Sequence, residues 1–229
     1  MVLESPPELG SIHNIVEFMD KMPVPQSDLE FFSSIPYVKH YLQDRDSPYK
    51  PAAFYSVYTK PNDPTADLFF ARTIATEDTI PHRLLLMRKG VWPLTNPAVG
   101  ASNAKQRPFA APETPEIIIL YDLKAGMNGF ANTAHGGAMC ALLDETLGMC
   151  AEVHRQTQFK DQKTMLYTAQ LNTSFLAPIK TPGVVRVKAW MLGREGRKWK
   201  LRAQMDDCQG QVLLETESLW ISTKEEGNL

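Results

Sequence analysis

Two adjacent carboxylates, Asp144 and Glu145, stand within a stretch of mostly apolar residues. Residues 138–147 place apolar side chains on most faces of a helix, and a helix of that kind is a buried helix. A buried charge is costly unless it is paired or takes part in chemistry. Partial burial also raises the pKa of a carboxylate, which makes it a better general base near neutral pH. The pair is therefore our first candidate for catalysis.

The residues just before this helix could hold a polarised carbonyl. His135, Gly136 and Gly137 follow Asn132 and Thr133, which we predict to cap the helix. Glycines at a helix start leave backbone N–H groups uncovered at the positive end of the helix dipole, where an oxyanion can bind. The stretch thus provides both a holder for an oxyanion and a base.

These two groups cannot meet at one carbonyl within a single chain. Gly136 and Asp144 are eight residues apart. On a helix that rises about 1.5 Å per residue, this separation is roughly 12 Å. If both act on the same carbonyl, the second helix comes from another subunit. We therefore predict a homodimer, or a dimer of dimers, with shared sites.

Composition excludes several classes of protein. The chain has 229 residues, 43% of them hydrophobic, which suits one domain with a core and extensions. A formal net charge of −2 gives no general attraction to nucleic acid or to anionic membranes. No run of about 18 apolar residues occurs, so we predict no membrane span. The first residues include Glu4, Glu8, Glu17 and Asp20 and lack an apolar signal core, so we expect an intracellular, cytoplasmic protein, with a mitochondrial location left open.

Neither a cofactor nor a metal site is predicted. The three cysteines, Cys140, Cys150 and Cys208, are too few and too scattered for a disulfide framework or a zinc site, and we expect the two on the helix to be inert core thiols. The chain lacks the Gly-x-Ser-x-Gly elbow of α/β serine hydrolases. It also lacks the phosphate loop and the Gly-x-Gly-x2-Gly fingerprint of nucleotide-binding folds.

The elements around the candidate residues follow an α+β pattern. Residues 117–123 form a dense β-branched and aromatic run that leads directly into the loop and the helix. We interpret residues 154–163 as a polar connection after the helix. Strands with alternating apolar and polar residues are then predicted at 168–176, 185–191, 199–205 and 212–222. This order predicts an antiparallel sheet curled around one long helix.

We predict that residues 1–50 form a helical N-terminal extension and that residues 51–229 form the main domain. Ser27-Asp28-Leu29-Glu30 is a capping box that predicts a helix start, and Pro36 should kink or split that helix. The apolar face of this helix either docks on the main domain or forms a lid over a bound acyl chain.

Three further segments precede the central strand. Residues 68–75 are predicted to form a strand, and residues 82–89 a weaker one because Pro81 adjoins it. Residues 90–115 contain five prolines and few periodic apolar positions. We predict a long loop there, and long loops in compact domains tend to be functional or mobile.

The centre of the chain resembles the hotdog-fold acyl-CoA thioesterases. The likeness rests on HGGAMCALLDETLGMC, which begins at His135, and on Thr168-Ala169-Gln170-Leu171-Asn172 and Gly196-Arg197-Lys198. The matching branch is the phenylacetyl-CoA and human thioesterase-superfamily-member type, and fungal relatives are similar in having an N-terminal extension. The likeness covers residues 117–222 well. It implies a back-to-back dimer of hotdog domains with the active sites at the subunit interface.

The resemblance implies a role for each matching residue. Gly136 would supply the N–H that polarises the thioester carbonyl, and Gly137 would shape that turn. Asp144 would act from the opposite subunit, either as general base toward water or as a nucleophile that forms a mixed anhydride. Thr168 would orient the water or the carboxylate, and His135 would organise the loop.

Other positions are expected to contact substrate. Related enzymes often carry an asparagine six positions before the histidine; that place is Gly129 here, so Asn128 is our candidate for the role. Glu145 is the alternative base. Arg197 and Lys198 belong to a basic set, accompanied by one acid at Glu195, that either binds the phosphates of coenzyme A or is simply solvated. The other members are Lys180, Arg186, Lys188, Arg194, Lys200 and Arg202.

The expected function is hydrolysis of an acyl-CoA thioester to free acid and coenzyme A, within lipid metabolism and without a cofactor or metal. One alternative is the hydrolytic release of an acyl or polyketide chain from a carrier protein. Another is a non-catalytic hotdog protein that binds acyl ligands. Hotdog dehydratases and hydratases fit less well, because their Asp-x4-His pairing is missing around the helix.

Overall fold

The computed structural model describes residues 15–58, 65–90, 111–159 and 164–224. The helices within these ranges are α1 (Ile15–Lys21), α2 (Gln26–Ser33), α3 (Pro36–Gln43) and α4 (Gly136–Thr157). The strands are β1 (Tyr49–Ala52), β2 (Arg83–Arg88), β3 (Ile117–Leu123), β4 (Asn128–Phe130), β5 (Thr133–Ala134), β6 (Leu166–Phe175), β7 (Gly183–Glu195), β8 (Lys198–Asp206) and β9 (Val212–Ser222). No helix of this described part is long and apolar enough to cross a membrane.

Seven of the strands form one antiparallel sheet in the order β1-β2-β3-β7-β8-β9-β6. The remaining two, β4 and β5, form a small hairpin that leads into α4. The long helix α4 packs on β3, β6, β7 and β8, so the sheet surrounds it. The predicted α+β plan, an antiparallel sheet around one long helix, is confirmed.

Alternation of side chains explains why β7 and β8 form a wall against α4. Because successive side chains in a strand point to opposite faces, every second residue reaches the helix. Val187 and Met191 on β7 and Trp199 and Leu201 on β8 are fully buried in the core that α4 fills. The charged residues between them face outward. The predicted faces of both strands are confirmed.

The strand β3 is buried on both faces, which explains its dense apolar sequence. Ile117 and Ile119 belong to the core around α4, whereas Ile118 and Leu120 belong to a second core on the other face of the sheet. That second core is closed by the extension, through Phe32 of α2 among others. The extension thus docks on the outer face of the sheet.

The N-terminal extension differs in detail from its prediction. The capping box at Ser27 is wrong: α2 begins at Gln26, and its N-cap, Pro25, makes no side-chain capping bond. The split at Pro36 is confirmed, because Pro36 occupies the first turn of α3, where its missing N–H is not needed. The proposed boundary at residue 50 lies within β1. The division into extension and domain stays a prediction.

Two other element predictions are wrong. Residues 68–75 do not form a strand; Phe69–Thr73 is a π-helical turn whose Phe70 ring packs edge-on against Phe54. The chain after residue 153 is not a polar connection, because α4 continues through Thr157 and buries His154 completely. In both cases long-range contacts override local sequence preference.

The weaker strand predicted at residues 82–89 is confirmed and is observed as β2. Most of the predicted 90–115 loop lies outside the described residues.

Candidate active site

The first turn of α4 is capped by a histidine. His135 is the N-cap, and its Nδ1 accepts hydrogen bonds from the N–H groups of Gly137, at 3.1 Å, and Ala138, at 3.4 Å. The prediction that Asn132 and Thr133 cap the helix is wrong. An imidazole that accepts at Nδ1 carries its proton on Nε2. His135 therefore organises the turn, as the resemblance implied.

The cap leaves one amide of this turn uncovered. Among the described residues none accepts a hydrogen bond from the Gly136 N–H. The N–H stands at the positive end of a 22-residue helix, which is the favoured place for an oxyanion. Gly136 also lies directly under an aromatic ring, since a Cβ built there would be 3.1 Å from Cε1 of Phe175. Phe175 was not predicted from the sequence, because only the fold brings β6 to the helix start.

The loop before His135 leaves no room for a side chain at residue 129. A Cβ on Gly129 would be 2.9 Å from the backbone Cα of His135. The glycine is therefore required by close packing. The neighbouring Asn128 uses its side-chain oxygen to accept a hydrogen bond from the Thr181 hydroxyl. Asn128 thus ties the loop to the segment before β7, and its predicted contact with substrate stays a prediction.

The structure brings Asp144 and Thr168 together. The Thr168 hydroxyl donates to Oδ1 of Asp144 at 2.9 Å. Strand β6 has a bulge at this point, where the register to β9 shifts between Thr168 and Gln170, and bulges of this kind re-aim side chains next to functional sites. Burial raises the pKa of Asp144 above its ordinary value, and the Thr168 hydrogen bond partly opposes that rise. Asp144 is a half-buried carboxylate suited to accept a proton.

Glu145 faces a different partner. It accepts a hydrogen bond from the hydroxyl of Ser56, which lies in the 3-10 turn Tyr55–Val57 that follows β1. Both Asp144 and Glu145 line a cavity of about 430 Å³, whose apolar walls include Met149 and Trp220. Ser56 was not predicted from the sequence, because 89 residues separate it from Glu145.

One chain supplies the two halves of the candidate site at separate places. Gly136 is in the first turn of α4, and Asp144 is two turns further along the same helix. A straight helix keeps residues eight positions apart at roughly 12 Å. A single carbonyl cannot contact both groups of one α4. If both groups act on one carbonyl, they must therefore come from two subunits, as predicted.

Strand β6 forms one edge of the sheet, and large apolar side chains are exposed at both of its ends. It pairs with β9, and no described strand covers its other side. Met165, Tyr167 and Phe175 are 59%, 61% and 56% exposed. An unpaired edge strand with exposed apolar side chains favours pairing with another chain. This edge also carries Thr168, the partner of Asp144.

Arg197 and Lys198 are at the same end of the sheet as Thr168. Lys198 pairs in register with Ile221 of β9, which pairs in turn with Tyr167 of β6. The guanidinium of Arg197 donates to the carbonyl of Ser222, and both basic residues are exposed. Their position is compatible with the predicted phosphate contacts.

Several other members of the basic set have partners of their own. Arg186 and Lys188 both pair with Asp206, and Arg202 pairs with Glu217. The guanidinium of Arg194 packs against the rings of Phe159 and Trp199, 4.5 Å from each centroid. The expectation that the set is accompanied by a single acid at Glu195 is wrong, because the fold supplies acids from neighbouring strands.

Comparison of folds finds similarity to solved structures. A Bacillus halodurans protein solved with CoA gives a TM-score of 0.41 over 46% of this chain and 66% of that chain, at 19% identity. The Escherichia coli PaaI protein of the phenylacetic acid degradation operon gives a TM-score of 0.42 over 48% and 73%, at 12% identity. A hypothetical thioesterase of Streptococcus pneumoniae solved with coenzyme A gives a TM-score of 0.40 over 48% and 79%, at 14% identity.

Comparison of sequences adds one curated relative and one family. Verlamelin biosynthesis protein B of Lecanicillium sp. is 21% identical over 228 residues, covering 87% of this chain and 90% of that protein. The family model of the thioesterase superfamily matches residues 131–213, a segment that contains Gly136, Asp144 and Thr168. This match confirms the predicted resemblance to the thioesterase superfamily over the helix α4 and the strands β6, β7 and β8.

Proposed function

We propose that the protein hydrolyses an acyl thioester of coenzyme A to the free acid and the thiol. Asp144 carries the proposal: it is a half-buried carboxylate beside a cavity, it is held by Thr168, and it lies in the segment that matches the thioesterase superfamily. The uncovered N–H of Gly136 at the start of the same helix adds the second group that thioester hydrolysis needs.

The proposed reaction uses groups from two subunits. The thioester carbonyl oxygen accepts a hydrogen bond from the Gly136 N–H of one subunit, which stabilises the negative charge that develops there. Asp144 of the second subunit removes a proton from water while the water oxygen adds to the carbonyl carbon. The carbon–sulfur bond then breaks, sulfur leaves with the electron pair, and the thiolate takes up the proton. The products are one carboxylic acid and one thiol.

Asp144 has a second possible role in the same site. Its carboxylate can attack the carbonyl carbon directly, release the thiolate and leave a mixed anhydride that water opens at the Asp144 carbonyl. A single turnover in ¹⁸O-labelled water distinguishes the two routes. The general-base route places the label in the acid product, whereas the anhydride route leaves it on Asp144 in the first turnover.

The cavity beside Asp144 provides a place for the acyl group. Its apolar lining from Met149, Leu166 and Trp220 is suited to a hydrocarbon chain, and its volume of about 430 Å³ is within the range of small-molecule sites. Arg197 and Lys198, exposed at the same end of the sheet, are suited to the phosphates of coenzyme A. The acyl group and the nucleotide are thus assigned to different regions of the protein.

We assign the subunit interface to the edge strand β6. Pairing of two β6 edges would bury Tyr167 and Phe175 and satisfy their unpaired backbone groups. It would also bring Asp144 and Thr168 of one subunit toward the other. A homodimer formed at this edge supports the shared site that the spacing of Gly136 and Asp144 requires.

A thiol-release assay over a panel of acyl-CoA esters tests this function. Asp144→Asn should keep its fold and lose about 10²–10⁴ in kcat, the usual contribution of a general base. Glu145→Gln is the matched variant, since the neighbouring carboxylate lines the same cavity but has Ser56 as its partner. A larger loss in Glu145→Gln would move the base to Glu145. Normal turnover by Asp144→Asn would refute the proposed mechanism.

A second candidate is release of an acyl or polyketide chain from a carrier protein. It is favoured by the similarity to verlamelin biosynthesis protein B, a protein named for a role in biosynthesis. The same assay separates the two functions when each acyl group is offered both on coenzyme A and on a phosphopantetheinylated carrier protein. Turnover restricted to the carrier-bound thioester would favour the second candidate.

A further inference from the structure

A second cluster of reactive side chains lies in the core, apart from the candidate active site. Glu116 directly precedes β3, and Cys150 and His154 are one helical turn apart on α4. Glu116, Cys150 and His154 are 1%, 0% and 0% exposed, respectively. One carboxylate oxygen, Oε2 of Glu116, is 2.7 Å from Nε2 of His154 and 3.2 Å from Sγ of Cys150. The ligand atoms of all three residues lie within 4.8 Å of one another.

The three donor atoms form a set that selects a particular class of metal. Thiolate sulfur and imidazole nitrogen with one carboxylate oxygen are typical ligands of zinc, and tetrahedral sites complete three protein ligands with a fourth from water or a second oxygen. The spacing of Cys150 and His154, four residues on a helix, points both side chains to the same side. The carboxylate of Glu116 is also held by the backbone, because its Oε2 accepts a hydrogen bond from the N–H of Met191 at 2.8 Å.

The charges around the cluster are compatible with a divalent cation. A carboxylate and a thiolate together offset the two positive charges of the metal, and the guanidinium of Arg88, 3.9 Å from the other carboxylate oxygen, Oε1, adds one positive charge nearby. Arg88 and Val153 also line a cavity of about 420 Å³ beside the cluster. Without metal, burial raises the pKa of Cys150 well above its ordinary value, so the thiol stays protonated.

We propose that Glu116, Cys150 and His154 bind one zinc ion, or another divalent metal of the same class, that fastens the C-terminal half of α4 to the sheet. Binding replaces the thiol proton of Cys150, which is released to solvent, and forms bonds from the metal to Sγ, Nε2 and a Glu116 oxygen. The site is distinct from Asp144, and hydrolysis does not depend on it. The rival arrangement is a metal-free hydrogen-bonded network of the same three side chains.

Cobalt titration of the full-length, chelator-treated protein tests the proposal. We expect one Co²⁺ per chain, with a sulfur-to-cobalt charge-transfer band and the visible absorption of a tetrahedral site. Cys150→Ser should lose the charge-transfer band and weaken binding by more than about 10-fold, since even outer-shell changes cost about 10–100-fold in metal affinity. Cys140→Ser is the matched control, because Cys140 is a half-buried thiol on the same helix outside the cluster. It should bind as the wild type does.

A further variant keeps the test decisive if Cys150→Ser does not fold. In Cys140→Ser/Cys208→Ser the only thiol left is Cys150, so a retained charge-transfer band supports the site. Loss of the band in that variant, or its retention in Cys150→Ser, would overturn the assignment. So would a wild-type protein that binds no stoichiometric Co²⁺ or Zn²⁺, either as purified or after refolding with metal.

Discussion

At the residue scale, burial and the hydrogen bond from Thr168 act on the pKa of the candidate base Asp144 in opposite directions, and burial has the larger effect. Burial favours the neutral form of Asp144 and raises its pKa, whereas the Thr168 hydroxyl favours the carboxylate and lowers it. General-base catalysis requires the carboxylate, so activity should fall as the pH drops through the pKa of Asp144. The acid limb of kcat/KM therefore reports on this residue in the free enzyme.

Removing that hydroxyl should move the acid limb in a defined direction. In Thr168→Val the pKa of Asp144 should rise further, because the hydrogen bond that lowers it is lost while the burial remains. The pH at which kcat/KM reaches half its plateau should shift upward, with a smaller loss of plateau rate than in Asp144→Asn. Thr173→Val is the matched control, since that β6 hydroxyl bonds Thr216 instead. An unchanged or lower midpoint in Thr168→Val would contradict this account.

At the residue scale, sequence identified the candidates that belong to one contiguous motif. Gly136 and Asp144 share one helix, so their spacing alone placed them two turns apart. The partners of Glu145 and Cys150 were not predicted, because Ser56 and Glu116 are 89 and 34 residues away in sequence. A C-x3-H spacing on the helix was the one available signal for the buried cluster.

At the scale of elements, the start of α4 depends on β6 packing closely against it. A Cβ at residue 136 would be 3.1 Å from the Phe175 ring, so Gly136→Ala should push the ring and the first helical turn apart. We expect kcat to fall by about 10²–10³, the cost of losing one oxyanion donor. Gly136→Ala/Phe175→Leu should recover much of that loss. Its kcat is compared with that of Phe175→Leu alone, which is the control. Measurement of kcat for the three variants tests this expectation. If the double variant is no faster than Gly136→Ala, crowding against Phe175 is not the cause.

Elements with strict alternation were predictable, and elements stabilised by distant partners were not. Strands β7 and β8 alternate apolar and polar residues, and both faces were assigned correctly. Residues 68–75 are equally apolar but pack Phe70 on Phe54 in a π-helical turn, and α4 extends past its predicted end through His154, whose ring is hydrogen-bonded to Glu116. Local patterns cannot report such contacts.

At the scale of the whole molecule, the open edge of the sheet should decide the oligomeric state. Tyr167 is 61% exposed on β6, and Tyr167→Glu would place a charge in the proposed interface. We expect this variant to shift toward monomer in light scattering and to lose activity together with the dimer. Tyr37→Glu is the control, since Tyr37 is an exposed aromatic on α3, on the other face of the sheet. A Tyr167→Glu dimer with full activity would place the interface elsewhere.

Mixing two inactive variants tests whether one site takes residues from two chains. Asp144→Asn lacks the base, and Gly136→Val blocks the helix start by crowding Phe175. In a mixed dimer, Gly136 of the first chain faces Asp144 of the second, so one site is intact and the other lacks both groups. After co-refolding in equal amounts about half the dimers are mixed, and each keeps one of two sites, so activity should return to roughly a quarter of wild type. If both groups acted within one chain, every site in the mixture would carry a defect and activity would stay at the level of the separate variants.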